Sequence, residues 1–379
     1  MSEAPIRVAM IGQKGYPPVH GGIEKHVAEL AARLAPRGVE ITIYSRPHYS
    51  DADGPTAMPG VTVRRLPSVP TKHLDAITHT LVATADAVRH GYDIVHYHAL
   101  GPALLSGVPR WLRRGRTVVT VHGLDWQRDK WGPVAAAVLR GGEGASARFP
   151  DGLIVVSQAL RQHYAARHGA AAVCIPNGIG EPVRRPRQEL DRLGLADGFV
   201  LFVGRFVPEK GCHLLLEAYG KLPAELRAKH RLVMAGGSGF SDGYAAGLRA
   251  AAPAEALFPG YVHGRLLEEL YSHAALVVLP STLEGLSIAL LEGMSYGRCC
   301  LVSDIAPNLE VSGGCAPAFA SGDAGALGAA MAGLLGDPAA RERHGEASRR
   351  RVLATYSWEQ AALDTLAVYR RVLGREKSV

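Results

Sequence analysis

The sequence has few of the features that would tie it to a membrane, a metal or an oxidising compartment. No apolar run reaches the roughly 20 residues that a spanning helix requires, which excludes a spanning protein. The five cysteines form no Cys-x-x-Cys pair, and their odd number is typical of reduced thiols and argues against a zinc site. The first residues lack a basic start followed by an apolar stretch and a small-residue cleavage site, so we expect a cytoplasmic protein.

Aromatic residues are also scarce, at 6%, which argues against a stacking platform for single-stranded nucleic acid. The charge, by contrast, is unevenly distributed: residues 1–178 carry 20 Lys and Arg against 13 Asp and Glu, whereas residues 179–379 carry 22 of each. A basic first half indicates an anionic partner, and nucleic acid, an acidic membrane surface and a phosphorylated substrate remain open. Residues 110–116 mix cations with apolar side chains, as at an anionic membrane face, although a solvated helix end has the same composition.

Apolar, strand-like runs alternate with helical periodicity along the whole chain, which predicts α/β domains with doubly wound parallel sheets. At 379 residues the chain has about twice the length of one compact domain. A turn at 176–178 and a polar, proline-bearing stretch at 180–187 predict the boundary. We therefore expect Rossmann-like domains at 1–178 and 179–356, with a C-terminal helix at 357–379 that packs back on the first.

The segment EGLSIALLE, directly after a predicted strand at 276–279, places Glu284 and Glu292 eight residues apart. Gly285 permits a close backbone approach, and residues 286–297, starting with Leu286 and Ser287, are predicted to form a helix whose N-terminus binds an anion. A continuous helix would separate the two carboxylates by about 12 Å, comparable to the distance from a donor sugar across a diphosphate to a ribose. An ordinary surface helix with two glutamates explains this segment equally well.

Two cations follow the predicted strand at 199–204. Arg205 offers a bidentate fork to phosphate oxygens, and Lys210 adds a mobile point charge. Together they would offset the negative charge that grows on a departing diphosphate. The alternative is a solvated loop in which Glu209 pairs with Lys210.

In the first half, residues 12–22 link the first strand to a helix and include Lys14, but they do not form the dinucleotide-binding pattern G-x-G-x-x-G. Gly21 and Gly22 at the helix start would allow close approach to a diphosphate, unless the segment is a mobile surface loop. His122 ends a predicted strand, where it would face the ligand crevice of an open α/β sheet, although a lone histidine is more often structural. His96 and His98 end another strand and are interpreted as packing or acceptor-contact residues.

These motifs together resemble the retaining glycosyltransferase family 4, whose GT-B architecture has two Rossmann-like domains that face a central cleft. The resemblance covers nearly the whole chain, through GGIE at 21–24, HG at 122–123, PNG at 176–178, Arg205 with Lys210, GYVHG at 260–264 and the segment from Glu284 to Glu292. The stretches IGQKGYP and HGLDW are most similar to members from bacterial surface-polysaccharide assembly, including rhamnosyltransferase-like ones. At Ser287 and Ile288 the sequence departs from relatives, which commonly carry Gly or Pro with an apolar residue.

The resemblance implies a role for each candidate residue. The catalytic set would be His122 near the reacting sugar, Arg205 and Lys210 on the diphosphate, and Glu284 on the sugar hydroxyls. Donor binding would also involve Glu292 on the ribose, the backbone around Val262 against the base, and Gly21, Gly22, Gly285, Leu286 and Ser287. The acceptor-side candidates in the first domain are Lys14, His98, Asp125 and Trp126.

The same resemblance implies the reaction. A hexosyl or deoxyhexosyl group would move from a nucleotide-diphosphate sugar to a hydroxyl of a glycan, lipid-linked or small-molecule acceptor, with retention and with no metal or other cofactor. Polysaccharide or other glycoconjugate biosynthesis would be the setting, in the cytoplasm or peripherally at the inner face of an anionic membrane.

Other functions remain open from the residues alone. A sugar-nucleotide epimerase or a phosphorylase would keep the fold and change the chemistry. A dinucleotide-dependent dehydrogenase is disfavoured because the G-x-G-x-x-G pattern is missing. A basic nucleic-acid-binding protein is disfavoured because no aromatic or helix-turn-helix signature accompanies the charge.

Overall fold

The chain divides into two compact units, each built on one β-sheet. In the computed structural model, which describes residues 4–18, 21–49, 54–71, 74–128, 131–238 and 242–375, the first unit comprises Met1–Gly178 with Trp358–Val379 and the second comprises Ile179–Ser357. Residues 376–379 of the predicted C-terminal helix lie outside the described residues. Within these ranges, no helix combines the length and the apolar character needed to cross a bilayer.

The strands of the first unit are β1 (Ile6–Ile11), β2 (Val39–Ser45), β3 (Gly54–Pro55), β4 (Val61–Arg65), β5 (Ile94–His98), β6 (Arg116–Val121), β7 (Gly152–Val155) and β8 (Val173–Cys174). They form one sheet in the order β3-β4-β2-β1-β5-β6-β7-β8. Neighbouring strands run parallel, except that β3 is antiparallel to β4. Strands β1, β5 and β6 are almost completely buried because helices cover both faces of the sheet, which explains their continuous apolar runs.

The helices between these strands are α1 (Gly22–Leu34), α2 (Leu74–His90), α3 (Leu100–Ala103), α4 (Val108–Trp111), α5 (Pro133–Arg148) and α6 (Gln158–His168). The connection from β1 to β2 crosses the sheet in one direction, whereas the connection from β4 to β5 and those that follow it cross in the opposite direction. Because such crossovers are right-handed, α1 lies on one face of the sheet and α2 to α6 lie on the other.

The second unit has strands β9 (Val200–Val203), β10 (Leu232–Ala235), β11 (Ala256–Gly260), β12 (Leu276–Leu279), β13 (Cys299–Ser303) and β14 (Ala318–Phe319). They are all parallel, in the order β11-β10-β9-β12-β13-β14. The helices are α7 (Glu189–Arg192), α8 (Cys212–Gly220), α9 (Ala224–Lys229), α10 (Asp242–Ala250), α11 (Gly264–His273), α12 (Ile288–Ser295), α13 (Ala306–Ser312), α14 (Ala324–Gly336) and α15 (Pro338–Thr355). Part of the core lies where α8 and α14 pack together beside the sheet, with Phe202, Leu215, Leu327 and Met331 buried.

The last helix, α16 (Trp358–Val372), belongs to the first unit, where it packs against α1. Its buried face includes Trp358, whose ring lies 5.8 Å from that of His26, and Tyr369, whose hydroxyl lies 2.7 Å from Nδ1 of His96. Helix α16 therefore helps to enclose His26 on α1 and His96 in β5.

In each sheet the chain order reverses beside the first strand of the unit. β1 is followed by β2 on one side and has β5 on the other, and β9 is followed by β10 on one side and has β12 on the other. The loops after β1 and β5, and those after β9 and β12, therefore flank a topological switch point, where open α/β sheets bind ligands.

The predicted fold class, two doubly wound parallel sheets, is confirmed by these two sheets. The strands not predicted are β3, β11 and β14; two of these have only two residues, and β11 contains Pro259, which a strand tolerates at the sheet edge that β11 occupies. The helix predicted from residue 286 begins instead at Ile288, because Ser287 is its N-cap and accepts a hydrogen bond from the amide of Leu290. The estimate of about 12 Å between Glu284 and Glu292 assumed a continuous helix, and it does not apply because residues 284–287 are not helical.

Candidate functional site

The loop after β1 is held against β5 by a close backbone approach. Gly12 has φ +125°, and a Cβ there would lie 2.3 Å from the carbonyl oxygen of His98, so only glycine fits. The amide of Lys14 donates to Oε1 of Glu24 at 2.9 Å, and the Lys14 Nζ lies 5.1 Å from the centre of the Tyr49 ring. Gly21 then precedes α1, which begins at Gly22. Residues 19 and 20 of this loop lie outside the described residues.

Three imidazoles meet next to this loop. His98 ends β5, His122 follows β6, and His26 projects from α1; their rings lie 4.6–5.5 Å apart between centroids. Nδ1 of His98 lies 3.2 Å from Nε2 of His122. Nδ1 of His26 lies 2.7 Å from Oδ1 of Asn177, so His26 must donate there.

Burial keeps these three histidines, and the neighbouring His96, uncharged. It lowers the pKa of His26 to about 4, although the hydrogen bond that His26 donates to Asn177 acts in the opposite direction. It also lowers the pKa of His96 to about 3, and nearby His26 adds to that effect. Burial first, and then the neighbouring histidines, hold the pKa values of His98 and His122 well below 6.5. At neutral pH these side chains are therefore hydrogen-bonding groups rather than cations.

Among the described residues, the group that could coordinate a metal ion consists of His26, His98 and His122. One nitrogen from each lies within 4.8 Å of the others. Nε2 of His26 and Nε2 of His98 have no hydrogen-bond partner among the described residues. Neutral imidazole is a good ligand for zinc and other transition metals. No carboxylate completes the group in the described residues.

Asp125 and Trp126 lie in the turn after His122, and a residue that the sequence reasoning missed holds this turn in place. The indole Nε1 of Trp126 donates to Oε2 of Glu143 at 2.6 Å, while Oε1 of Glu143 lies 2.7–2.8 Å from Nε2 of both His163 and His168. Burial opposes ionisation of Glu143, but these hydrogen bonds outweigh it and lower its pKa. No motif surrounds Glu143 in the sequence, so a charged residue in the small-residue segment GGEGAS was the only signal.

In the second unit, the loops after β9 and β12 meet directly. Nζ of Lys210 forms an ion pair with Oε1 of Glu284, and the same oxygen accepts a hydrogen bond from Oγ of Ser281 at 2.8 Å. Gly211 permits this contact: its φ is +65°, and a Cβ there would lie 2.1 Å from the carbonyl oxygen of Pro280. The solvated-loop alternative is wrong for Glu209, whose side chain is buried.

Arg205, directly after β9, lies beside the loops that follow β10 and β11. Burial raises the pKa of Tyr261, and the positive charge of Arg205 acts against that rise. Arg205 is therefore close to the Tyr261 ring. Gly236 and Gly237, directly after β10, allow their loop to lie close to Gly204 and Tyr261. A Cβ on Gly236 would lie 1.8 Å from the carbonyl oxygen of Gly204, and one on Gly237 would lie 2.7 Å from the Tyr261 ring. Val262, the predicted base contact, follows Tyr261 and is buried.

The remaining donor candidates lie at and within α12. Gly285 and Leu286 precede the helix in non-helical backbone, and Ser287 caps it. Glu292, one turn inside, accepts a hydrogen bond on Oε2 from the hydroxyl of Tyr271 at 3.0 Å. Burial, with the charge of Glu292 adding to it, raises the pKa of Tyr271 well above 10, so this hydroxyl remains a donor.

Comparisons with known proteins identify the family. Residues 20–180 match the model for Glycosyltransferase Family 4, and residues 191–351 match the model for Glycosyl transferases group 1. The D-inositol 3-phosphate glycosyltransferase of Mycobacterium avium is 31% identical over 402 residues, which cover 93% of this chain and 89% of that protein.

Solved structures share the fold. Sucrose-phosphate synthase from Thermosynechococcus elongatus superposes with a TM-score of 0.82 at 23% identity, over 98% of this chain and 100% of that one. HepE from Anabaena, solved with UDP and glucose, superposes with a TM-score of 0.77 at 18% identity, over 96% and 99% of the two chains. The chain is therefore a glycosyltransferase with the GT-B fold and belongs to the family of group 1 and family 4 glycosyltransferases.

Proposed function

We propose that this glycosyltransferase moves a hexosyl or deoxyhexosyl group from a nucleotide-diphosphate sugar to an acceptor hydroxyl, with retention of configuration and without a bound metal. The observation that carries the proposal is the contact between Lys210 and Glu284 at the switch point of the second sheet. A cation next to a carboxylate is complementary to the two parts of such a donor, since the cation suits the phosphate and the carboxylate suits sugar hydroxyls.

The second unit supplies the donor-binding groups. Arg205 and Lys210 contact the diphosphate, and the amides at 285–287, before and at the start of α12, add donors for its oxygens. Glu284 accepts hydrogen bonds from the transferred sugar. Glu292, already oriented by Tyr271, accepts from the ribose, and the backbone at Val262 lies against the base.

Transfer breaks the bond between the anomeric carbon and the diphosphate oxygen, which leaves with the electron pair. Arg205 and Lys210 stabilise that oxygen as its charge develops, in a site where they are already oriented. The acceptor oxygen forms the new bond on the same face of the sugar, and its proton passes to the leaving phosphate oxygen. Retention follows because attack and departure occur on one face.

His122 contributes as a neutral hydrogen-bonding group. Burial and the adjacent histidines keep it uncharged at neutral pH, so it stabilises a sugar hydroxyl without placing a second positive charge near an oxocarbenium-like transition state. Gly21 and Gly22 permit close approach of backbone to the donor phosphates.

The acceptor is an anionic hydroxyl compound that binds to the first unit, in glycan or glycoconjugate assembly of the rhamnosyltransferase-like type. The basic charge of residues 1–178 supports an anionic acceptor. Two similar proteins are also named for phosphorylated compounds, one a D-inositol 3-phosphate glycosyltransferase and the other a sucrose-phosphate synthase. Lys14, His98, Asp125 and Trp126 are the proposed contacts. A lipid-linked diphosphate and a phosphorylated glycan share this chemistry.

The proposal is tested by ligand binding followed by product analysis. UDP, GDP and dTDP, with their sugars, are screened by thermal unfolding, beginning with UDP-glucose because HepE was solved with UDP and glucose. A donor at 100 times its Kd stabilises the protein by about 2.7 kcal/mol, and the Lys210→Met variant loses most of that shift. The anomeric configuration of the product is then read by NMR; inversion, or no shift with any nucleotide sugar, would contradict the proposal.

Metal independence has its own test. Turnover in EDTA is expected to stay within about twofold of that in buffer, because Arg205 and Lys210 provide the charge that a divalent cation would supply. A strong loss of turnover in EDTA would contradict this expectation. If added zinc restored turnover in the wild type but not in His26→Gln, the cluster of His26, His98 and His122 would be assigned as a metal site instead.

A further inference from the structure

Tyr271 connects two helices of the second unit through one hydroxyl group. It lies on α11 and is 1% exposed, and its hydroxyl donates to Oε2 of Glu292 on α12 at 3.0 Å. The same hydroxyl lies 3.4 Å from the carbonyl oxygen of Ala289, one turn earlier in α12. A hydroxyl has one proton, and the shorter contact with a charged acceptor is the stronger one. The proton therefore points at the carboxylate.

The Tyr271 side chain is fixed in this role. Burial, followed by the negative charge of Glu292, raises the pKa of its hydroxyl well above 10, so the hydroxyl stays protonated and donates to the carboxylate. The ring is stacked on that of Tyr296, with 5.4 Å between centroids and 22° between planes. Tyr296 is itself buried, and its hydroxyl lies 3.3 Å from the carbonyl oxygen of Val183. The ring of Tyr271 is therefore held on both sides of the contact.

The backbone of Glu292 is fixed separately, by the residue that follows it. A Cβ on Gly293 would lie 2.9 Å from Sγ of Cys300 and 3.2 Å from Cγ1 of Val277, so glycine lets α12 lie close against β12 and β13. The side chain of Glu292, by contrast, is only half-buried. A half-buried glutamate samples several rotamers, and the bond from Tyr271 selects one of them before any ligand binds.

We propose that Tyr271 is a positioning residue that, through Glu292, makes the donor site selective for nucleoside diphosphates whose ribose carries both hydroxyls. This inference rests on the proposed contact between Glu292 and the ribose. A freely rotating carboxylate turns toward water when a nucleotide lacks those hydroxyls, so that nucleotide loses little affinity. A carboxylate held by Tyr271 stays in the site and receives no donor in place of the water it has lost, so the same nucleotide is rejected.

This role is separate from the bond-breaking step. Tyr271 acts on Glu292, whereas Lys210 and Glu284 orient one another through their own ion pair. Tyr271→Phe should therefore raise KM for the donor severalfold and lower kcat by less than twofold. Removal of a group that stabilises the developing charge has the opposite signature, a fall in kcat.

The test compares the binding of UDP, GDP and ADP with that of their 2′,3′-dideoxy analogues, by isothermal titration calorimetry on the full-length protein. Wild type is expected to bind at least one of these ribonucleotides at least tenfold more tightly than its analogue, the usual effect of a hydrogen bond to a charged group. Tyr271→Phe should lower this ratio by about fivefold, because affinity for the ribonucleotide falls while affinity for the analogue does not.

A double-mutant cycle determines whether Tyr271 acts through Glu292. Glu292→Ala is expected to reduce the ratio to below about threefold, and Tyr271→Phe should change it no further in the Glu292→Ala protein. An equal effect of Tyr271→Phe with and without Glu292 would overturn the proposal. A wild-type ratio near one would overturn it whether or not the variants fold.

Tyr219→Phe is the matched control, because it also removes a buried tyrosine hydroxyl from the second unit. That hydroxyl lies 3.0 Å from the carbonyl oxygen of His230 and 3.2 Å from that of Arg227. The ratio of affinities in this variant should stay within twofold of wild type. A similar fall of the ratio in Tyr219→Phe, or equal losses for both nucleotides in Tyr271→Phe, would show that Tyr271 is structural only.

Failure of this inference is distinguishable from failure of the proposed function. A wild-type ratio near one with intact turnover of a nucleotide sugar overturns the selectivity alone. Binding of dTDP but of none of the three ribonucleotides does the same, since dTDP lacks the 2′-hydroxyl. Absence of both nucleotide binding and turnover would contradict the proposed donor and this inference together.

Discussion

Lys210 and Glu284, 74 positions apart in the chain, form a largely buried ion pair in the second unit. Each was predicted to contact a different part of the donor, and the structure shows that they also contact one another. The ion pair orients both side chains before a ligand binds, so its removal should affect catalysis more than folding.

Replacement of Lys210 by Met is expected to lower kcat by about 10² to 10³, the usual effect of removing one group that stabilises a developing anion. Glu284→Gln should lower kcat/KM for the donor, and the double variant should lose less than the product of the single losses because the residues are in contact. Steady-state kinetics of the three variants measure this. The exposed pair Glu217 and Lys221 serves as the control, and a similar loss in Lys221→Met would contradict the assignment.

Glu143 positions the turn that carries Trp126. Glu143→Gln keeps the shape but replaces a charged acceptor of hydrogen bonds from Trp126, His163 and His168, and should lower the free energy of unfolding by about 2 kcal/mol. If Trp126 contacts the acceptor, KM for the acceptor rises severalfold while KM for the donor is unchanged. The tryptophan emission spectrum should shift as well.

The control for Glu143 is Glu29→Gln, which removes a carboxylate from a half-buried pair with Arg33 on α1. It should change neither KM nor emission. Equal rises in the donor and acceptor KM for Glu143→Gln would mean that the residue is structural only.

Acid should destabilise the first unit between pH 6.5 and 4. The pKa of His26 is about 4 when folded and about 6.5 when unfolded, so in this window the unfolded chain binds a proton that the folded chain does not. Stability therefore falls as the pH drops, by roughly 3 kcal/mol for His26 alone at pH 4, and His96 acts in the same direction.

Urea unfolding at pH 7 and pH 4.5 measures this loss. His26→Gln, which can still donate to Asn177, should reduce the difference between the two pH values, whereas His48→Gln, at an exposed position, should not. An unchanged pH dependence in His26→Gln would show that His26 is solvated when folded.

Gly211 sets the distance between the loops that carry Lys210 and Glu284. Gly211→Ala is expected to cost about 2 to 4 kcal/mol and to lower kcat, because its Cβ would overlap the carbonyl of Pro280 and displace Lys210. Gly194→Ala is a matched control: its φ is also near +60° and nothing lies within 4 Å of its Cβ, so about 1 kcal/mol is expected. Thermal unfolding and turnover report both effects, and equal costs would exclude a role for the Pro280 contact.

Local patterns predicted the elements that lie near the switch points. Strand β1 with Gly12, and β9 with Arg205 and Lys210, are recognisable because buried strands leave continuous apolar runs and the following loops carry glycine and charge. Partners remote in sequence were not predictable in this way. Nothing near Glu143 indicates that its contacts are Trp126 and two histidines, and nothing near His26 indicates Asn177.

Helix α2 shows the same division. Leu74, Ile77 and Leu81 have the spacing of one helix face, which a surface helix ordinarily buries, but they are exposed. The first unit instead offers Arg46 and Tyr97 to the polar side, so that side is buried. Which face of an amphipathic helix turns inward depends on its neighbours, and these come from distant segments.

Hydrophobic periodicity, glycine placement and the order of charged motifs are properties of short stretches, and from them the sheet class and the family of this chain followed. The pairings of Lys210 with Glu284, Glu143 with Trp126 and His26 with Asn177 arose only when strand order brought separate loops together. Pairing energies depend on distance in space, and a linear sequence does not contain that distance until the sheet has assembled.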